Sequence, residues 1–233
     1  MKSICLAVTC LIITSVAVAD TINVPAGGDI QAAINGASDG DIIQLEAGEY
    51  FPAAAIDTLG KEVSIIGASH PKTGAPTSII DGQDSIRVLQ CISGEGADTV
   101  FENLLITGGY TSSYGGGMYN GISSSPTLEN CTFTGNSASN GGGGMYNWNE
   151  SSPTLTNCTF TNNTATNSGG GMFNYNSSPT LENCTFEGNS ADYGGGGMRN
   201  YGSSSSTLTD TIVCGNTPVQ IDGPWTNDGG NCV

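Results

Sequence analysis

The sequence predicts an all-β solenoid of parallel strands, a chain that winds round one axis so that each coil stacks on the last. Three observations carry this. Met118, Met145, Met172 and Met198 each close a glycine run, at steps of 27, 27 and 26 residues. After each Met the chain passes through Thr-Leu, three times to Asn-Cys-Thr-Phe and finally to Asp-Thr-Ile-Val. Asparagine returns in three columns at the same period. A unit of this length cannot bury its apolar side alone and must pack on copies of itself.

The elements follow in order. Residues 1–19 open with Lys2, run apolar from Ile4 to Val18 and end Ala17-Val18-Ala19, which marks a secretory signal peptide cleaved after Ala19. Residues 20–110 form an N-terminal cap and the first coils. Ile30, Ala33 and Ile34 fall at helical spacing, with Gly36 and Gly40 as stops, so a short capping helix is expected. Strands follow at Ile42–Leu45, Val63–Ile66, Ser78–Ile80, Val88–Ile92 and Leu104–Ile106. Residues 111–216 are the strict repeat of the same domain, and 217–233 read as an irregular tail. The whole gives roughly seven coils.

Within a repeat, strand alternation turns Leu128, Cys131 and Phe133 inward and Thr132 and Thr134 outward. Asn103, Asn130, Asn157 and Asn183, with Asp210 closing the series, are expected as an inward ladder in which each amide donates to one neighbour and accepts from the other. A buried ladder amide could not carry a glycan, so the NxT strings at Asn130, Asn157 and Asn183 are read as by-products. Two further columns, Asn120–Asn147–Asn174–Asn200 and Asn136–Asn163–Asn189–Asn216, are expected to do the same.

The strings FTGNSA, FTNNTA and FEGNSA, each followed by a glycine run and GGM or GGGM, resemble the FxxN and GGx[ILV] repeats of the chlamydial polymorphic outer membrane proteins. The stretches IQAAINGASDGDIIQLEAGEY and TSIIDGQDSIRVL resemble the entry coils of right-handed parallel β-helix proteins of the pectin-lyase-like superfamily. The resemblance implies a right-handed parallel β-helix. It leaves activity open, because that superfamily holds lyases, hydrolases, adhesins and other binding proteins.

Composition narrows the function. Net charge is -16, and cleavage after Ala19 removes one of five basic residues while keeping all 21 acidic ones. Nucleic acid and anionic membrane are therefore excluded as partners, since phosphate neutralisation needs many Lys and Arg. No later segment reads as a membrane span, so membrane insertion is not expected and the protein is read as secreted or held at the cell surface.

The expected ligand site is a pair of outward aromatic columns: Tyr119, Tyr146 and Phe173, then Trp148, Tyr175 and Tyr201. Such rings on a flat face offer platforms for sugar rings, and a neutral glycan is the favoured ligand. The leading reading is an exported, non-catalytic adhesion or carbohydrate-binding protein. A polysaccharide lyase or hydrolase using Glu102, Glu129 and Glu182 is the alternative, and an ice-binding face built on Thr132, Thr134, Thr159 and Thr161 is a third. No catalytic residue, cofactor or metal is assigned, although Asp81, Gln83 and Asp84 supply oxygens of the kind that hold Ca²⁺. Cys131, Cys158 and Cys184 are read as small buried hydrophobes. Cys214 and Cys232 are the candidate disulfide, pinning the tail to the last coil.

Overall fold

The computed structural model describes residues 19–233; the expected signal peptide falls almost wholly outside the described residues. The described residues wind into four sheets, and every pairing between named strands is parallel. One sheet has nine strands, from Thr21–Val24 to Trp225–Asn227; two have seven, and a narrow fourth has four. The helix spans Ile30–Gly36, is capped by Asp29 accepting from Ala32 N, and buries Ile30 and Ile34 in the core. Lys61 Nζ satisfies its last carbonyls, donating to Ile34 O at 2.7 Å and Ala37 O at 2.7 Å.

The repeat stands in direct register. Met118, Met145, Met172 and Met198 pair in line, as do Leu128, Leu155, Leu181 and Leu208. All eight are fully buried. Inside, Phe133, Phe160 and Phe186 stack with centroids 4.7 and 4.5 Å apart and planes within 2°. Burial of such side chains, at roughly 1.5–3 kcal/mol each, is the main force holding coil on coil. The glycine run crosses above this core. A Cβ at Gly144 would lie 2.9 Å from the Phe160 ring, so only glycine lets the backbone pass there.

Two asparagine columns form the buried ladders. Asn136 Nδ2 donates to Asn163 Oδ1 at 3.0 Å, Asn163 to Asn189 at 2.9 Å and Asn189 to Asn216 at 2.9 Å. Each also donates to a carbonyl of the coil before, and each Oδ1 accepts a backbone N–H from its neighbour. Asn120, Asn147, Asn174 and Asn200 form a second chain of amide-to-amide bonds at 2.8–2.9 Å, without the backbone contacts of the first. Gln220 Oε1 ends the first ladder and Pro224 O the second.

The third column departs from expectation. Asn103, Asn130, Asn157 and Asn183 do not point inward; Asn157 and Asn183 are exposed. All four, and Asp210, hold φ between 47° and 56°, the left-handed region that Asn and Asp tolerate best among residues with a Cβ. They are corner residues that turn the chain from one sheet to the next. Asn183 still donates to Asn157 Oδ1 at 2.6 Å, but on the outside. Burial therefore does not bar the NxT strings at Asn157 and Asn183 from modification.

The inward position at the remaining corner belongs to serine, with Ser124 N donating to Ser151 Oγ and Ser177 N to Ser204 Oγ. At its head sits Glu95, 2% exposed. Its carboxylate accepts from Thr58 Oγ1, Gly60 N, Ser93 N and Ser124 Oγ at 2.8–2.9 Å. Residues 217–233, expected as an irregular tail, instead make a short last coil: Ile221–Asp222 and Trp225–Asn227 join two sheets, and Cys232 bridges to Ile212.

Candidate functional site

The aromatic columns lie on the seven-stranded sheet of strands Met118–Asn120, Met145–Trp148, Met172–Tyr175 and Met198–Tyr201. Alternation places them: Met and Asn point in, and the residue after each points out. Tyr146 pairs with Phe173, and Trp148 with Tyr175 and then Tyr201. Together with Tyr114, Ser168 and Arg199 they line an open groove of about 450 Å³ running along the solenoid axis.

The rings are not equally available. Trp148 and Tyr201 are the exposed ones, at 36% and 50%, whereas Tyr146 is 5% exposed. The cause is Tyr114, which folds over from the preceding loop and stacks on Tyr146 at 4.6 Å and 22°. Phe173 meets Tyr146 at 5.3 Å and 57°. Burial, and then the neighbouring phenols of Tyr114, Tyr119 and Tyr175, push the Tyr146 phenol well above its usual pKa, so it stays neutral. Tyr146 is the floor of the groove, and Trp148, Tyr175 and Tyr201 are its wall.

Tyr119 does not line the groove, although its column predicts it. Its ring lies over Gly121, the glycine that replaces the second aromatic in this coil, and under the guanidinium of Arg87 at 4.6 Å. Arg87 spends its donors on Gly115 O, Tyr114 O and Gln90 Oε1 at 2.8–3.1 Å. That end of the groove is closed by structure. At the other end Arg199 takes the place of the aromatic and forms an ion pair with Asp222 on the next strand.

Other expectations fall as follows. Glu102 and Glu129 are neighbours in register, and Thr156 separates Glu129 from Glu182. They lie on the nine-stranded sheet, away from the aromatic groove. Asp81 Oδ1 accepts from Gln83 N at 2.7 Å, and Gln83 and Asp84 adopt left-handed φ, so these residues build a turn. Among the described residues no group of three or more His, Cys, Asp or Glu is placed to hold a metal ion. The threonine row is interrupted by Leu105 and Glu187. Cys131, Cys158 and Cys184 are buried, each thiol donating to a carbonyl of the coil before at 3.4–3.6 Å.

Cys214 and Cys232 are free thiols, correcting the expected disulfide. Cys232 pairs beside Ile212, two residues from Cys214. One strand spacing combined with two residues along a strand separates the Cα atoms by about 8 Å, beyond the span of a disulfide.

Residues missed by the aromatic reading are Tyr114, Ser168 and Asp222. Tyr114 lies in the loop column of Gly141, Ser168 and Gly194, where no other member is aromatic. Only the folded register brings it over the floor.

Parallel coils with inward ladders define the class, a β-helix repeat protein. The chain belongs to the family described as right-handed β-helix region, whose model matches residues 82–232, more than half of the sequence. Neither the curated proteins nor the solved structures contain a match to it.

Proposed function

We propose that this protein is an exported, non-catalytic carbohydrate-binding β-helix, acting in adhesion at a cell surface or in the extracellular space, with neutral glycan as its ligand. The observation that carries the reading is the groove of Tyr146, Trp148, Phe173, Tyr175 and Tyr201 on one regular sheet. Ring faces with nearby hydroxyl and amide groups suit the apolar faces and polar rims of sugars. A net charge of -16 disfavours polyanions, and the apolar leader ending Ala17-Val18-Ala19 supports export. The likeness of FTGNSA and GGGM to chlamydial polymorphic outer membrane protein repeats supports a surface role. The lyase or hydrolase alternative, drawn from the likeness to the pectin-lyase-like superfamily, needs two carboxylates across a bound sugar, whereas Asp222 at the groove's end is paired with Arg199 and the glutamate column is on another sheet.

The test is a glycan array probed with protein lacking residues 1–19. Replacing Trp148 and Tyr175 together by alanine removes two platforms at about 1 kcal/mol or more each, an expected loss of about 30-fold or greater with unchanged circular dichroism. Unchanged affinity in the folded double variant would refute the groove as the site.

A further inference from the structure

The groove has one polar end, and its chemistry is selective. Along the column Tyr119, Tyr146, Phe173, Arg199, the aromatic gives way to a guanidinium in the fourth rung. Asp222 stands opposite it in register, and its Oδ2 pairs with Arg199 Nη1. The guanidinium also lies 5.4 Å from the centre of the Tyr201 ring. Gly194 makes room for the pair, because a Cβ there would collide with both side chains. Arg87, by contrast, has its donors taken by three protein oxygens. Among the described residues Arg199 has Asp222 as its polar partner, so the rest of its fork faces the groove with donors to spare.

Accepting the glycan reading, on which this rests, we infer that the Arg199–Asp222 pair is the specificity-determining end of the groove: it reads adjacent hydroxyls of a neutral sugar and rejects a uronate. A hydroxyl both donates and accepts. Two neighbouring hydroxyls therefore match a guanidinium N–H beside a carboxylate oxygen, with the sugar ring lying on Tyr201 and Tyr175. A ligand carboxylate meets a different field. It finds the guanidinium charge already compensated and Asp222 repelling it, on a chain with 21 acidic residues.

The experiment titrates protein lacking residues 1–19 with two pairs of oligosaccharides that differ only in oxidation at C6: cellohexaose and its uronate, mannohexaose and its uronate. The wild type binds at least one neutral member, and its uronate about tenfold more weakly or less. Asp222→Asn frees the guanidinium charge and shifts the neutral-to-uronate ratio toward the uronate by about tenfold. Arg199→Met, which keeps an apolar stem on Tyr201, weakens the neutral ligand by about tenfold. Gly194→Ala displaces the pair without altering charge and also weakens it, so the result does not hang on one variant. If the wild type binds neutral sugar but Asp222→Asn leaves the ratio unmoved, or Arg199→Met binds as the wild type does, the pair is not the determinant while the groove stands. If the wild type binds neither member of either pair, the glycan reading falls and this inference falls with it.

Discussion

Two asparagines six residues from each other in one coil should differ sharply in what they contribute. Asn163 is fully buried and its side chain makes four hydrogen bonds: it accepts from Asn136 N and Nδ2, each at 3.0 Å, and donates to Phe133 O and Asn189 Oδ1, each at 2.9 Å. Asn163→Ala removes all four. The Asn136 backbone N–H loses its acceptor at a fully buried position, which costs about 1–3 kcal/mol, and the other broken bonds bring the total to about 2–4 kcal/mol. Asn157 is exposed and bonded to Asn183 alone among side chains, with φ at 56°. Asn157→Ala therefore loses about 1–2 kcal/mol, mostly from forcing a Cβ into left-handed backbone without the aid of an amide. Asn157→Gly removes that strain and stays within about 0.5 kcal/mol of the wild type. Denaturant titration followed by circular dichroism measures all three, with the slope m checked for constancy because solenoids can open repeat by repeat. Equal losses for Asn157→Gly and Asn163→Ala would overturn the assignment of buried ladder and exposed corner.

Three further outcomes are expected. Burial alone would raise the Glu95 pKa, but hydrogen bonds from Ser93 N, Ser124 Oγ and Gly60 N outweigh it and hold the carboxyl below its usual range. A depressed folded pKa contributes stability above the unfolded value, about 4.3, that is lost as pH falls through the folded value; Glu95→Gln should thus be destabilised at pH 7, with the gap narrowing in acid, and a gap independent of pH would contradict this. A thiol reagent should label Cys214 and Cys232 quickly in the folded mature protein and reach Cys91, Cys131, Cys158 and Cys184 only after denaturation; blocked Cys214 and Cys232 that react only after reduction would restore the disulfide. Pectate incubated with the protein, with and without Ca²⁺, should release no unsaturated product, and release that is lost in Glu129→Gln would turn the assignment to a lyase.

The regular spacing makes the coil readable from the sequence: the Met, Leu and Phe columns, the helix at Ile30 and most early strands lie where the sequence places them. The corner asparagines misled because two different jobs share one residue type and one period. Leu128 and Cys131 are both inward though three residues apart, which strict alternation cannot deliver; the extra residue is Asn130 in left-handed backbone, and that mismatch was the available signal. The groove was half readable. Its columns follow from alternation, but the covering of Tyr146 by Tyr114, the capture of Tyr119 by Arg87 and the pairing of Arg199 with Asp222 depend on contacts between coils that no repeat pattern encodes.

The constant pitch also sets how this molecule can change its size. Met118, Met145 and Met172 stand in line, so excising residues 134–160 would join Phe133 to Thr161 and bring together surfaces that already fit. The shortened rod would lose about 4.8 Å of length and no joint. It would lose Tyr146 and Trp148, however, and with them the middle of the groove. Gain or loss of a whole coil thus leaves the fold's register intact, though it changes stability by one repeat's share, and is fully visible to any ligand long enough to span several rungs, which makes copy number a dial for binding reach.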